Sequence, residues 1–129
     1  MKSEAQKLRW YLFYRDQLLL QERPEGLAIP SGAEPPVVVD RTFTVDYQGA
    51  GTARAAHLAA PVELSGYRMM GLRASWDLLP QAAYDEAGKA FQLLYWDTHS
   101  RYCPVCGTPT EQTTPICKRC PRCGHELYP

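Results

Sequence analysis

Near its N-terminus the chain has two apolar runs, which are separated by two polar residues. The first, residues 10–15, is mainly aromatic, the second is Leu18-Leu19-Leu20, and Asp16-Gln17 lies between them. Aromatic and branched residues on both sides of a short polar step are typical of a β-hairpin. The pattern therefore predicts a hairpin with its turn at Asp16-Gln17.

The next fifty residues predict a loop followed by short strands. Prolines and glycines recur through residues 23–36 and predict a surface loop, because they disfavour both helix and central strand. Residues 41–47 alternate apolar and polar, as a half-buried strand requires, and Gly49-Ala50-Gly51 then turns the chain. Residues 52–60 and 67–73 are weaker strand candidates. Together these segments predict a small, mostly antiparallel sheet.

The pattern changes to helical spacing between residues 80 and 99. Apolar residues fall on one side and charged residues mainly on the other, which predicts one long helix. Gly88 weakens it slightly or lets another backbone approach. The fold class is therefore α+β. The predicted domains are a β-rich N-terminal domain at residues 1–79, a connecting helix at 80–100 and a four-cysteine ribbon at 101–129.

The ribbon prediction rests on a motif that occurs twice. Cys103-Pro104-Val105-Cys106-Gly107 and Cys120-Pro121-Arg122-Cys123-Gly124 both read Cys-Pro-x-Cys-Gly, with thirteen residues between Cys106 and Cys120. A Cys-x-x-Cys turn places two sulfurs on one side of a metal, and two such turns complete the tetrahedron that zinc prefers. The glycines allow a positive φ that points amides at the sulfurs. Cys103, Cys106, Cys120 and Cys123 are the predicted zinc ligands.

Other side chains offer alternative ligand sets. Cys117 also forms a Cys-x-x-Cys with Cys120, but without the proline and glycine of the other two turns, so we interpret it as a free thiol near the site. His99 and His125 flank the cysteines and could replace one of them, and His57 is interpreted as a partly exposed side chain. Four thiolates leave no open position for water, so the predicted zinc is structural, and its removal is expected to unfold the ribbon.

Composition narrows the classes of partner and the compartment. Acidic and basic residues balance at fourteen each, so the chain has no net positive charge to attract nucleic acid or an anionic membrane over long range. No apolar stretch is long enough to cross a bilayer, and the N-terminus lacks the apolar core of a secretion signal. Five cysteines confined to residues 103–123 favour metal over disulfides. We therefore expect a cytoplasmic protein without a membrane partner.

The order of elements resembles the NADH pyrophosphatases of the Nudix hydrolase superfamily. The resemblance rests on residues 90–102, where the helix ends and leads into the first cysteine turn, on the two cysteine turns and on the final Tyr128-Pro129. It rests more loosely on residues 11–20 and 71–73. It implies a β-rich N-terminal domain, a helix and a zinc ribbon that precede a catalytic Nudix domain. It also implies hydrolysis of the pyrophosphate of NAD(H), related dinucleotides or NAD-capped RNA, with Mg²⁺ or Mn²⁺ held by a Nudix box.

That box is missing from these 129 residues. None of the nine glycines has a glutamate six positions later, and no Arg-Glu pair occurs. Metal-assisted hydrolysis needs those carboxylates. We therefore expect that this chain alone is inactive, that Mg²⁺ or Mn²⁺ belongs only to the missing domain, and that the chain is a domain cut from a longer enzyme or a naturally shortened relative, the former being favoured.

The resemblance also suggests two substrate contacts. Arg73 matches an arginine of the family that reaches the dinucleotide, and Tyr128 matches a tyrosine whose ring lies against the base. An ordinary strand-end charge and a ribbon-core aromatic are the competing interpretations. A family lysine near the end of the hairpin has only an approximate counterpart in Arg23. The resemblance further implies a homodimer, with nucleic acid as a partner only in the form of NAD-capped RNA.

Two other hypotheses compete with the resemblance. A free-standing zinc-ribbon adaptor could bind nucleic acid or protein through the basic cluster Lys118, Arg119 and Arg122. Alternatively, the ribbon could be redox-sensitive, with Cys117 exchanging into the metal site on oxidation.

Overall fold

A hairpin of two seven-residue strands forms the centre of the N-terminal part. The computed structural model describes residues 8–46 and 52–129, in which β1 spans Leu8–Tyr14 and β2 spans Gln17–Arg23. The predicted hairpin is confirmed, but its turn lies one residue earlier, at Arg15-Asp16. Gln17 already pairs with Tyr14 across the strands, and Arg15 adopts the positive φ of 57° that the tight turn requires.

Five further strands extend this hairpin into a sheet: β3 (Gly26–Ala28), β4 (Ser31–Gly32), β5 (Phe43–Val45), β6 (Ala53–His57) and β7 (Tyr67–Gly71). The main path of the sheet runs β3-β2-β1-β6-β5, while β4 pairs with β1 and β7 pairs with β2. Only β1 and β6 run parallel among these described pairs. The predicted mostly antiparallel sheet is therefore confirmed.

The sequence pattern was wrong at two places in this sheet. Residues 23–36 contain β3 and β4 rather than loop alone, since short edge strands can form between prolines. The strand predicted for residues 67–73 ends at Gly71, and Arg73 begins a 3₁₀ helix, Arg73–Ser75. The predicted ends of other segments, Tyr47 and Gly49-Ala50-Gly51, lie outside the described residues.

Strand β1 is buried on both of its faces. Trp10 and Leu12 pack with Leu19 in a cluster that is covered by partly buried side chains, including Val37 and Val39. The intervening residues on the opposite face are equally buried. Covering both faces of a strand produces an uninterrupted apolar run instead of alternation, which explains the aromatic block in the sequence.

The predicted helix is confirmed as α1, Gln81–His99. Phe91 packs against Phe13 of β1, with ring centroids 5.4 Å apart. A Cβ at Gly88 would meet no atom within 4 Å, so this glycine does not admit a close backbone. No helix of the described residues combines the length and apolarity that crossing a membrane requires.

A buried carboxylate fastens α1 to β1. Glu86 accepts bonds from Arg9 Nε at 2.6 Å and Nη2 at 2.9 Å, and from the Tyr11 hydroxyl at 2.6 Å. Burial opposes the charge of Glu86, but the bonds from Arg9 and Tyr11 outweigh it and hold the pKa of Glu86 below its usual value. Burial, followed by the bond to Glu86, raises the pKa of Tyr11.

A second, three-stranded antiparallel sheet lies near the C-terminus. Its strands are β8 (Glu111–Thr114), β9 (Cys117–Arg119) and β10 (Glu126–Leu127), in the order β10-β9-β8. The chain divides into two compact units within α1, Met1–Phe91 and Gln92–Pro129. The fold is thus α+β with a C-terminal four-cysteine zinc ribbon, and the domain limits at 79/80 and 100/101 stay a prediction.

Candidate metal centre

The first cysteine turn is held by its own backbone. Gly107 N–H donates to the carbonyl of Cys103 at 2.8 Å, and Cys103 N–H donates to the carbonyl of Thr108 at 2.8 Å. The amide of Val105 lies 3.3 Å from Cys103 Sγ and donates to it. Gly107 has a φ of 78°, which a glycine adopts without steric cost. The backbone therefore sets the sulfur positions.

The second turn repeats this geometry seventeen residues later. Gly124 N–H donates to the carbonyl of Cys120, and Cys120 N–H donates to the carbonyl of His125, both at 2.9 Å. Gly124 has a φ of 81°. The amide of Cys123 donates to Cys120 Sγ at 3.4 Å. Both glycines thus have the predicted positive φ, while the amides that point at sulfur are those of Val105 and Cys123.

The two turns bring four sulfurs together. Cys103 Sγ lies 3.6 Å from Cys123 Sγ, Cys106 Sγ lies 3.5 Å from Cys120 Sγ, and all four lie within 4.8 Å of one another. A zinc–sulfur bond of about 2.3 Å implies sulfurs about 3.8 Å apart in a tetrahedron. The spacing of these thiols therefore fits a tetrahedral ion. Because all four donors are sulfur, the set favours a soft or borderline metal over Mg²⁺ or Ca²⁺.

Proton affinities in the cluster differ strongly. Hydrogen bonding with the side chain and backbone of Thr108, followed by Cys120, lowers the pKa of Cys106 to about 6. A backbone bond from His125 acts to lower the pKa of Cys123, but burial and the other three thiols outweigh it and raise that pKa to about 11. Crowded thiols cannot all ionise easily without a cation. A divalent ion would resolve this conflict and displace the remaining protons.

The alternative ligands lie outside this group. Cys117 is buried, and its thiol is directed to the carbonyl of Lys118 at 3.6 Å. His99 Nδ1 lies 2.8 Å from the carbonyl of Tyr95, and the Tyr95 and His99 rings stack with centroids 3.9 Å apart. His57 is exposed and meets Phe43 edge-on. Among the described residues, the only group of side chains placed to hold a metal ion consists of the four predicted cysteines.

Only part of the basic cluster proposed for nucleic acid lies on the surface. Lys118 is 6% exposed, and its ammonium lies 2.9 Å from the Asp97 carboxylate. The guanidinium of Arg119 lies close to Gly124, where an added Cβ would come within 3.4 Å of it. Arg119 and Arg122 are both exposed. The structure therefore assigns Lys118 a packing function, which the sequence pattern did not indicate because nothing in it pairs Lys118 with Asp97.

Arg73 and Tyr128 lie in different units of the chain. Arg73 is an exposed residue at the start of the 3₁₀ helix. Tyr128 follows β10 and is 59% exposed, so it is not a ribbon-core aromatic. Hydrogen bonding to Cys117, followed by Glu126, raises the pKa of Tyr128 to about 12. Both side chains are thus accessible, and their contacts with substrate stay a prediction.

Comparison with known proteins decides the family. Residues 7–96 match the model of the NADH pyrophosphatase-like rudimentary NUDIX domain. The chain belongs to this family. It is also 35% identical over 66 residues to the NAD-capped RNA hydrolase NudC of Deinococcus radiodurans, which covers 50% of this chain and 24% of that protein. The chain thus spans about a quarter of the length of this relative.

The NADH pyrophosphatase-like rudimentary NUDIX domain covers the first sheet and most of α1. The match ends at residue 96, before Cys103, the first cysteine of the cluster. The match therefore supports the resemblance drawn from the sequence for the N-terminal part, whereas the case for metal rests on the geometry of the four thiols.

Proposed function

We propose that this chain is the N-terminal and zinc-ribbon part of an NAD⁺ diphosphatase that hydrolyses the pyrophosphate of NAD(H) or of NAD-capped RNA. The observation that carries the proposal is the family match over residues 7–96. The relative named as an NAD-capped RNA hydrolase supports the choice of substrate. Catalysis belongs to a Nudix domain with Mg²⁺ or Mn²⁺, and these 129 residues alone are inactive.

The metal of the ribbon is zinc, and its function is structural. Cys103, Cys106, Cys120 and Cys123 supply four thiolates, which complete the coordination shell and leave no site for a reactive water. Zinc bound there supplies only charge neutralisation and cross-linking. The five cysteines are free thiols in the structure, as expected of a protein that acts in the reducing cytoplasm.

Arg73 and Tyr128 are the proposed substrate contacts in the complete enzyme. A guanidinium binds phosphate oxygens through paired bonds, and an exposed tyrosine ring offers a face on which a base can stack. We further propose that the complete enzyme is a homodimer and that this part of the chain contributes surface to the dimer and to the substrate cleft.

The test begins with the reading frame and the activity of the complete protein. A Nudix box should be encoded after residue 129, and in the presence of Mg²⁺ or Mn²⁺ the complete protein should release AMP from NADH and nicotinamide mononucleotide from NAD-capped RNA. The 129-residue chain should release neither. Cleavage by the purified chain itself, or a complete reading frame without the box, would contradict the proposal.

The two contacts are tested in the complete enzyme. Arg73→Gln and Tyr128→Ala should each raise KM by about tenfold, because each removes roughly 1.4 kcal/mol of binding. Arg68→Gln in β7 and Tyr102→Ala in the ribbon are matched controls, since both residues are also exposed. Equal KM values in the variants and their controls would remove Arg73 and Tyr128 from the site.

The adaptor alternative has less support. Phosphate contacts need accessible cations, and Lys118 is buried in an ion pair with Asp97. An affinity for RNA without the NAD cap that falls steeply with salt would favour the adaptor over the enzyme part.

A further inference from the structure

The C-terminal carbonyls of α1 are bonded by side chains of the ribbon. The ammonium of Lys118 donates to the carbonyl of Asp97 at 2.8 Å, and also to its carboxylate at 2.9 Å. The last four carbonyls of a helix have no partner within the helix and favour a positive charge. Lys118 supplies both a donor and a charge, although it lies 21 residues further along the chain.

A second ribbon residue continues this capping beyond the helix. The Thr110 hydroxyl donates to the carbonyl of Ser100 at 2.6 Å, and the Thr110 amide donates to the carbonyl of Arg101 at 2.9 Å. In contrast, the carbonyls of Tyr95 and Trp96 are bonded by His99 and by the Ser100 hydroxyl, which lie within four residues in the sequence. The helix end therefore depends partly on itself and partly on the ribbon.

The bond between Lys118 and Asp97 is buried and demands accurate geometry. Each side chain is only 7% exposed, and the ammonium also lies 5.2 Å from the centre of the Trp96 ring. The Trp96 indole N–H is buried and has no hydrogen-bond partner among the described residues. A buried ion pair offsets its desolvation only while its geometry is kept. A small displacement of Lys118 would therefore weaken the compensation of the buried Asp97 carboxylate.

The position of Lys118 is set by the metal-binding part of the ribbon. Lys118 lies in β9, two residues before Cys120, and pairs with Leu127 of β10 and Gln112 of β8. Past Arg101, the buried residues are Cys103, Cys117, Lys118 and Cys120. No aliphatic or aromatic core therefore keeps β9 in place once the four thiols lose a metal.

We propose that metal occupancy of the ribbon controls the C-terminal turn of α1 through Lys118 and Thr110. With metal bound, β9 holds the ammonium on Asp97 and the turn is capped. Without metal, the cap is lost and residues 96–101 fray, while earlier turns of the helix stay formed. This inference rests on the proposed metal site. It makes the segment that joins the sheet to the ribbon responsive to metal.

Hydrogen exchange of the whole 129-residue chain tests the proposal. Zinc content is measured first, and exchange is then compared with and without EDTA under reducing conditions. Amides of residues 97–101 should exchange about tenfold faster without zinc, as expected from loss of a charged hydrogen bond. Amides of residues 84–91 should keep their protection. Equal protection of residues 97–101 in both states would overturn the proposal, as would joint loss of protection in both segments.

A variant separates the cap from the metal. Lys118→Met keeps much of the apolar length of the side chain but removes the donor, so residues 97–101 should exchange about tenfold faster while zinc stays bound. Lys89→Met, an exposed position on the same helix, is the matched control and should change neither property. Unchanged exchange in zinc-loaded Lys118→Met would overturn the proposal. If that variant does not fold, the EDTA comparison on the parent decides alone.

A parent chain that binds no zinc would refute the proposed metal site, which the zinc assay reports separately from exchange. The dependence of the helix end on metal would then be overturned as well. Bound zinc with an unresponsive helix end would overturn only the inference about Lys118 and Thr110.

Discussion

The sheet unit and the ribbon bury different kinds of side chain. The described residues before Phe91 bury aromatic and aliphatic groups on both faces of β1, such as Tyr11, Leu12 and Leu19. Residues 101–129 bury three cysteines and one lysine. The first unit is stabilised by removing apolar surface from water. The second contains too little apolar surface for that and needs a cross-link.

This difference explains why one part matches a domain model and the other is recognised by spacing. An apolar core tolerates many exchanges of similar volume, so its pattern is spread over ninety residues. A four-sulfur metal site does not tolerate exchange of its ligands for apolar residues. The sequence signal of the ribbon therefore lies in two five-residue motifs. The two units should therefore respond to different perturbations.

Metal removal is expected to have the largest effect, on the ribbon and the C-terminal turn of α1 that it caps. Structural zinc in small domains contributes about 10–16 kcal/mol of apparent binding energy, and that energy is also folding energy. After EDTA treatment under reducing conditions, NMR signals of residues 103–129 should collapse to random-coil positions. Signals of the described residues before Phe91 should stay dispersed. Loss of signal dispersion in both units, or in neither, would show that the two units do not differ in their dependence on metal for folding.

Truncating a side chain of the apolar core should instead destabilise the sheet unit and leave zinc binding by the ribbon unchanged. Leu19 is fully buried, so Leu19→Ala should lower the free energy of unfolding of the sheet unit by about 2–5 kcal/mol. Urea unfolding measures this change. Val38→Ala is the control, because Val38 is 98% exposed and should cost less than about 0.5 kcal/mol. Zinc content should be unchanged in both variants, and zinc loss in Leu19→Ala would make the ribbon dependent on the sheet core.

The buried Glu86 should contribute less than the apolar core. Glu86→Gln weakens the bonds from Arg9 and Tyr11 and should cost about 1–3 kcal/mol in the free energy of unfolding. Glu63→Gln removes an exposed carboxylate and should stay within about 0.5 kcal/mol of the parent. Equal urea midpoints for the two variants would show that the Glu86 network adds nothing.

The same carboxylate predicts a dependence on pH. The pKa of Glu86 is lowered from the ordinary 4.5 in the folded chain, so the folded state favours the charged form. Its contribution is therefore present above about pH 4.5 and is lost as the pH falls through the lowered folded value. The stability difference between the parent and Glu86→Gln should shrink between pH 6 and pH 3 in urea titrations. A difference that grows on acidification would reverse the sign assigned to this group.

Two glycine substitutions should have effects of opposite sign, and the one at Gly88 should be the smallest of the series. Gly124→Ala forces alanine to a φ of 81° and places a Cβ 3.4 Å from the Arg119 guanidinium, so it should destabilise the ribbon by about 1–3 kcal/mol. Gly88→Ala lies in a helix with open space at the Cβ and should stabilise the sheet unit by up to about 1 kcal/mol. Thermal unfolding followed at helix and ribbon signals compares them. Stabilisation by both would show that the curl at Gly124 is not needed.

Features that depend on neighbours along the chain were predicted best from the sequence. Helix α1 and the two curled cysteine turns follow from spacing and from glycine at fixed offsets, and both are confirmed. The hairpin was also predicted, but its turn was wrong by one residue, because the register depends on Arg15 adopting a positive φ. Local chemistry therefore specified element type more reliably than register.

Features that depend on distant partners were missed. The prolines of residues 23–36 predicted a loop, whereas the segment contains β3 and β4. These strands form because they pair with β2 and β1, which are distant neighbours that a local pattern does not show. Lys118 was grouped with surface cations because nothing near it in the sequence indicates Asp97, 21 residues away. The burial of a charged residue is decided by tertiary packing, which a local pattern does not contain.

Zinc content of the five single Cys→Ser variants tests most directly whether a four-thiolate shell folds the ribbon. The parent and Cys117→Ser should each bind one zinc ion per chain and keep ribbon NMR signals, because Cys117 lies outside the cluster. Substitution of Cys103, Cys106, Cys120 or Cys123 should lose both the metal and the signals. A parent without zinc, or zinc lost from Cys117→Ser and kept in Cys123→Ser, would contradict the account.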